Sequence, residues 1–311
     1  MTTIRQRLRL PQNAMPHNNP ASARWVAIQR NPKSGSGAGR HQLVELAREL
    51  KHLGFRPRLF KSRERFAAWM ADASTDRKIE CIVAAGGDGT LGDVINRFPG
   101  VRIALLPLGT ENLLARYLGI PRSGKDVARL IAAGQVRVLD LCSLGDRRFV
   151  LMASIGFDAD VIQRLHNSRR GNISRFSYVQ PILESVRKYE YPEIRLWVDD
   201  ETRPRIARMA VITNVPIYAL GMSVARCAQG DDAVLDLRLF QRGSAFQMVR
   251  YLCNLALGTH EGLSDVDSVR GRHIRIESDV PVPIQVDGDS AGWTPAEISI
   301  LPRALEVIVP S

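Results

Sequence analysis

The sequence has no apolar run approaching the roughly 20 residues that a membrane-spanning helix requires. That argues against a helical membrane anchor. The stretch "MTTIRQRLRLPQNAMPHNNPASA" has no apolar centre, so no secretory signal is expected there. Its Pro, Asn and Arg content predicts a disordered basic tail over 1–23. Cysteine is scarce: Cys81, Cys142, Cys227 and Cys253 are far apart and match no metal spacing. They are expected to be buried free thiols in a reducing cytoplasm, not a disulfide framework or a zinc ribbon. Aromatic residues make up only 6% and no helix-turn-helix stands out, which argues against a nucleic-acid partner. Acid is in deficit as well. Lys plus Arg is 43 against 32 for Asp plus Glu, a net charge of +11, and such a surface draws anionic partners.

The chain of 311 residues has room for two domains of ordinary size. In its first part, short apolar strands alternate with helical spacing. "WVAIQRNP", "RPRLFKS", "CIVAA" and "RIALLPLG" read as strands, and "HQLVELARELKHLG", a segment containing Phe66, Trp69 and Met70, "LGDVINRF" and "ENLLARYLG" read as helices. Strands apolar on both faces and separated by helices indicate a parallel sheet covered on both sides. From about Val136 the pattern becomes β-rich. "VRVLDLCSLGDRRFVLMASIGFDADVI" reads as strand, turn at Gly145-Asp146, strand. Further strands are expected at "EIRLWVDD", "RIARMAVITNVP", "VLDLRLFQ", "HIRIES", "VPIQVDGDS", "EISILP" and "ALEVIVP", with helices at 174–189 and 243–258.

Three loops leave strand ends with Gly and a hydroxyl: Asn31–Arg40, Gly86–Thr90 and Leu108–Thr110. Glycine lets backbone amides approach a phosphate, and the helix that follows adds its positive end. A single such loop is as well explained by a tight turn; three at one sheet edge point to a nucleotide. None matches G-x-x-x-x-G-K-[ST] or G-x-G-x-x-G. Asp88 within the second loop suggests a magnesium-nucleotide site, the plainer account being an Asx turn. "QVDGDSAGWTP" places Asp287 and Asp289 around Gly288. A hairpin turn explains it locally, and a general base beside a phosphoryl acceptor explains it functionally.

"NPKSGSG", "AAGGDGTLGDVIN", "LPLGTENLLAR", "DDAVLDL" and "IQVDGDSAGWTP…ISILPRALEVIVP" follow one another in this order. Together, from Trp25 to Pro310, they resemble the soluble diacylglycerol kinase family, which includes sphingosine kinases and bacterial lipid kinases. The resemblance implies an N-terminal α/β nucleotide domain of the NAD kinase/diacylglycerol kinase type and a C-terminal β-sandwich. Segments of 1–23, 24–138, 139–295 and a returning 296–311 are expected. It implies transfer of the γ-phosphate of ATP, with Mg2+, to a lipid hydroxyl such as that of diacylglycerol, at an anionic membrane surface. The setting implied is a cytoplasmic protein with peripheral membrane association, and a homodimer is compatible with it. By resemblance, Gly86, Gly87, Asp88, Gly89 and Thr90 hold phosphates with Gly109, Thr110 and Asn112, and Asn31 and Ser62 lie near the nucleotide. Asp289 is the implied proton acceptor, with Asp88 beside it as a catalytic residue. Asp232 is the implied metal ligand, with the carbonyls of Gln229 and Val234. The chain departs from the family pattern at Leu113 (usually Asp), Ala233 (usually Gly), Arg226 (usually Pro) and Asp289 (usually Glu). A kinase of a soluble acceptor such as NAD, and a non-catalytic nucleotide or lipid sensor, are the alternatives. Arg164, Arg169, Arg170 and Arg175 are candidate lipid-docking residues, with a solvated loop as the plainer account.

Overall fold

The computed structural model describes residues 24–31, 39–72, 78–167, 179–218 and 221–311. Four parallel strands form the first half: β1 (Arg24–Arg30), β2 (Arg56–Phe60), β3 (Lys78–Gly86) and β4 (Ile103–Pro107), in spatial order β2-β1-β3-β4. Between and after them run α1 (Gly39–His52), α2 (Arg63–Ala71), α3 (Asp88–Arg97), α4 (Leu113–Tyr117) and α5 (Gly124–Ala133). Val26–Ile28, Cys81–Ala85 and Ile103–Leu106 are buried, as strands covered on both faces must be. Helix α5 packs on α1 so closely that Gly124 has no room for a side chain: an added Cβ would lie 1.9 Å from the Gln42 carbonyl oxygen.

The second half contains β5 (Val136–Leu144), β6 (Arg147–Phe149), β7 (Met152–Gly156), α6 (Phe157–Asn167), α7 (Val179–Lys188), β8 (Ile194–Val198), β9 (Arg205–Ala207), β10 (Met209–Thr213) and β11 (Leu235–Phe240). There follow α8 (Ala245–Leu257), β12 (Val266–Gly271), β13 (His273–Glu277), β14 (Pro283–Val286), β15 (Asp289–Trp293) and β16 (Ala296–Ile308). An antiparallel sheet in the order β12-β11-β10-β7-β14-β15 faces β5, β8, β13 and β16 of the first sheet. Ala153, Ile155, Ile212, Leu237, Ile274, Ile284 and Ile298 fill the space between them.

Strand β16 joins the halves. One edge pairs with β5 along its length. The other meets β13 at Ala296–Ser299 and β4, in parallel, at Val307. Its register shifts between Leu301 and Leu305, where Arg303 takes a positive φ of 53°. Asp140, 1% exposed, holds that irregularity by accepting the Arg303 amide at 2.7 Å. Its other oxygen accepts the Ala233 amide at 2.7 Å, so one carboxylate fixes two left-handed residues.

Several expectations change. "EISILP" and "ALEVIVP" form one bulged strand, because Pro302 coincides with the register shift and does not end the pairing. "RIARMAVITNVP" is two strands in two sheets, parted at Arg208. "SIGFDADVI" ceases to be strand at Gly156, whose φ of 101° turns the chain directly into α6. Cys81 and Cys142 are buried as expected, but Cys227 and Cys253 are exposed. The tail, most of the first glycine loop, and Arg169, Arg170 and Arg175 lie outside the described residues. Arg164 is ion-paired with Asp160 at 2.7 Å.

Candidate active site

Asn31, which ends β1, and the second and third glycine loops meet at the carboxyl ends of β1, β3 and β4. The Asn31 amide donates to the Ala85 carbonyl at 3.4 Å, and the Leu108 and Gly109 amides donate to the Gly86 carbonyl at 2.9 and 3.2 Å. Helix α3 begins three residues earlier than its apolar spacing suggested, so Asp88, Gly89 and Thr90 form its first turn and Gly87 its N-cap. Gly87 provides no side-chain cap, which leaves the helix N-terminus to a ligand. The loops touch backbone to backbone: a Cβ on Gly109 would sit 2.6 Å from the Gly87 Cα. A Cβ on Gly86 would sit 2.1 Å from Thr90 Oγ1, a buried oxygen with no hydrogen-bond partner of its own. At Gly89 a Cβ would meet nothing within 4 Å, so its space is open.

Asn112 is buried in the left-handed conformation and clamps Gly109. Its Oδ1 accepts the Gly109 amide at 2.9 Å and its Nδ2 donates to the Gly109 carbonyl at 2.7 Å. Asn112 therefore shapes the cradle. Thr110 is exposed beside it, its carbonyl accepting from Arg122 at 3.1 Å. Ser62 caps α2, accepting the Arg65 amide at 3.2 Å, at the end of the edge strand β2.

The Asp88 carboxylate caps α4 as well as meeting its own amide. It accepts from the Leu113 amide at 3.0 Å and the Leu114 amide at 3.3 Å. Burial pushes its carboxyl upward, opposed by those amides, and Glu111 adds to the upward shift. Leu113, where the family pattern has Asp, contributes its backbone here.

Across from Asp88 lies the β14–β15 turn. Asp287 and Gly288, with φ of 49° and 84°, make the two-residue hairpin that "DG" predicts. Asp287 then does more than turn the chain. Its oxygens accept the Val150, Leu151 and Met152 amides at 2.9–3.0 Å, which pins the hairpin to β7. Burial is the main cause that pushes its carboxyl up to about 6, against those three bonds, and the Asp88 charge adds to it. The Asp88 charge therefore reaches Asp287 across the junction between the halves.

Asp289, the expected base, is half exposed and lies 3.4 Å from Arg147. Behind it, Gln285 accepts the Gly288 amide at 2.8 Å and donates to Ser154 at 2.9 Å. Asp158 accepts from the Ser154 and Tyr218 hydroxyls, both at 2.5 Å, and burial pushes its carboxyl up. Asp287 was marked with Asp289 as a carboxylate of the turn, but Asp158, Gln285 and Arg147 were not singled out from the sequence as site residues. Period-2 alternation in "IQVDGDS" puts Gln285 on the face opposite Ile284 and Val286, where a polar residue reads as solvent-facing; α6 packs on β14 and Gln285 is buried, which no local signal announces.

Asp232 is distant in chemistry from this cluster. Its carboxylate is bonded by Arg270 and by the Val234 amide at 3.2 Å, while Gln229 is exposed. A guanidinium and an amide are the partners of an anion already balanced, so this donor set does not suit a resident cation. No group of three or more His, Cys, Asp or Glu side chains arranged for a metal occurs among the described residues.

Two family profiles match the chain: the diacylglycerol kinase catalytic domain over residues 26–144 and the YegS C-terminal NAD kinase beta sandwich-like domain over 152–309. A protein named diacylglycerol kinase from Mycobacterium tuberculosis is 28% identical over 296 residues, covering 92% of this chain and 95% of that one. One of the same name from Staphylococcus saprophyticus is 23% identical over 286 residues, covering 90% and 94%. An uncharacterized protein of Synechocystis is 28% identical over 236 residues; that match takes in 74% of this chain but only 54% of the Synechocystis protein. Among solved structures, one titled a putative diacylglycerol kinase from Bacillus anthracis superposes with a TM-score of 0.73 at 20% identity, over 92% of this chain and 97% of the other.

Proposed function

The chain belongs to the soluble diacylglycerol kinase-like lipid kinase family, and from that premise we propose that it transfers the γ-phosphate of ATP to the hydroxyl of a lipid alcohol such as diacylglycerol. One observation carries this reading: an amide-lined glycine cradle at the end of a parallel sheet is faced by a hairpin bearing two carboxylates. Gly87, Gly89 and the Thr90 hydroxyl take the polyphosphate, Gly109, its amide bonded to Gly86 and Asn112, packs behind Gly87, and Asn31 closes the adjacent strand end. The open space at Gly89 and the unpartnered Thr90 Oγ1 fit an anion rich in acceptor oxygens.

Asp88 and Asp287, two buried carboxylates at this junction, are the residues that would hold the magnesium accompanying ATP: the Asp88 charge pushes the Asp287 carboxyl up, and a cation there would offset that repulsion. The metal would neutralise charge on the phosphates. The remainder is positioning. The lipid hydroxyl oxygen bonds to the γ-phosphorus, the bond from that phosphorus to the bridging oxygen breaks, and ADP leaves. The hydroxyl proton passes to Asp289. That carboxylate is half exposed at the turn while Asp287 is committed to three amides, and Arg147 orients it. The setting we infer is the cytoplasmic face of a membrane, reached without a spanning segment; among the described residues no helix is long and apolar enough to cross.

The reading is tested by ADP release with Mg2+ and ATP against a panel of lipid alcohols in mixed micelles, with NAD as a soluble acceptor. Turnover is expected only with a lipid alcohol, and Asp289→Asn is expected to lower kcat by about a hundredfold or more with ATP affinity retained. Turnover with NAD alone, or full activity in the variant, contradicts it.

A further inference from the structure

Helix α8 is apolar on two opposite faces. Met248, Tyr251 and Leu255 point into the protein. Phe246, Val249 and Leu257 point out of it, with Phe246 73% and Leu257 76% exposed. Their spacing, with the exposed Cys253 between Val249 and Leu257, places all four on one stripe along the outer side of the helix. A surface helix ordinarily carries charge on that side, and one that is apolar all round is ordinarily covered. The segment "AFQMVRYLCNLAL" contains no acidic residue.

Its surroundings are basic. Arg242, just ahead of the helix, is exposed although ion-paired with Asp265 at 3.4 Å, and Arg226 is exposed at its end, donating to the Gly258 carbonyl. Arg187 and Lys188 close α7, which packs against α8. The carboxylates beneath are taken up: Asp265 is buried against Arg250 and Tyr251, and Glu261 is bonded to Arg238. We propose that the outward stripe of α8 is the element by which this protein seats on an anionic lipid bilayer, with Phe246 and Leu257 entering the acyl boundary and the flanking basic residues meeting headgroup phosphates. A second copy of the chain is the less suitable occupant, because a two-fold pairing would set the same basic residues at the ends of α7 and α8 against each other with no acidic residue in α8 to meet them. The helix is connected to the site through packed elements. It packs on α7, α7 packs on α6, and the first turn of α6 carries Asp158, bonded through Ser154 to Gln285 of the hairpin. Seated this way, the enzyme would draw its acceptor from the surface it touches, so the proposal rests on the lipid-kinase reading for its purpose though not for its test.

The test is co-sedimentation of the full chain with phosphatidylcholine vesicles, with and without phosphatidylglycerol. It compares wild type, Phe246→Ser/Leu257→Ser and, as a control, Val44→Ser, which removes an exposed apolar side chain from α1. The double variant is expected to lose about tenfold or more of its partitioning onto anionic vesicles. Its melting temperature and its turnover of a short-chain, water-soluble diacylglycerol should not change, and the control should bind as wild type. In a Cys227→Ser background, a polarity-sensitive fluorophore on Cys253 should shift to the blue when anionic vesicles are added. Equal binding by the double variant, or no shift at Cys253, overturns the proposal. So does a shift that arises without vesicles and tracks a doubling of mass in sedimentation, since that makes a second copy the occupant. If wild type turns over no lipid at all yet binds vesicles through Phe246 and Leu257, the kinase reading fails and this one stands.

Discussion

At Gly89 the demands of the fold and of the ligand separate. The residue lies in the first turn of α3 with open space where a Cβ would go, so the fold itself tolerates alanine. Gly89→Ala should leave stability unchanged or raise it by up to about 1 kcal/mol, since alanine is the better helix former. If polyphosphate occupies that space, the same change weakens nucleotide binding by about tenfold to a hundredfold, the equivalent of one or two charge-assisted hydrogen bonds. Thermal unfolding with and without ATP separates the two effects. Asp287 gives a pH signature. Its carboxyl is pushed up to about 6, so the folded state favours the protonated form. The stability it contributes is complete below its ordinary value of about 4 and is lost as pH rises through about 6. Asp287→Asn cannot follow that titration, and its amide nitrogen would face backbone donors, so it should be less stable than wild type. The gap should be wider at about pH 5 than at about pH 7.5. A gap independent of pH would remove Asp287 from that role. The sequence showed "DG" as a hairpin, and the hairpin is there. It did not show which of the two flanking carboxylates is captured by the amides of Val150, Leu151 and Met152, because those amides arrive from more than a hundred residues earlier in the chain.

Elements were legible where their signal is local. Helix α8 runs from a Ser244 cap to a left-handed Gly258, as its period and flanking residues predict. Strands β1, β3 and β4 of the first half likewise fall on apolar runs, while the edge strand β2, "RPRLF", does not. The signal failed where an element is set by its partners. α6 follows β7 without a break because Gly156 turns the chain at one residue, and β16 continues through Pro302 because β5 and Asp140 hold the irregularity. The turn before β11 gives a prediction at this scale. Ala233 occupies a position with φ of 59°, held by its amide bond to Asp140. A side chain there costs about 1 kcal/mol relative to glycine, so Ala233→Gly should stabilise the protein by about that amount in a denaturant titration. Loss of stability on that substitution would show that the left-handed turn is not under strain.

The whole molecule consists of two halves whose order in sequence conceals how they are joined. The last strand returns to pair with β4 of the first half, and the hairpin just before it carries Asp287 to face Asp88. Each glycine loop was visible in the sequence, as was the terminal "DGD". The meeting of the second and third loops with the hairpin depends on where β16 pairs and on the three-amide anchor of Asp287, and neither that pairing nor that anchor leaves a periodic trace. The family profiles cover both halves, so the chain has both parts that the chemistry requires. The most direct test is to supply ATP labelled in the γ-phosphate, with Mg2+, and diacylglycerol in mixed micelles, and to follow the label into the lipid fraction. The account predicts labelled phosphatidic acid from wild type and little or none from Asp289→Asn. Label that stays in ATP, or goes only to inorganic phosphate, while the nucleotide demonstrably binds would contradict it.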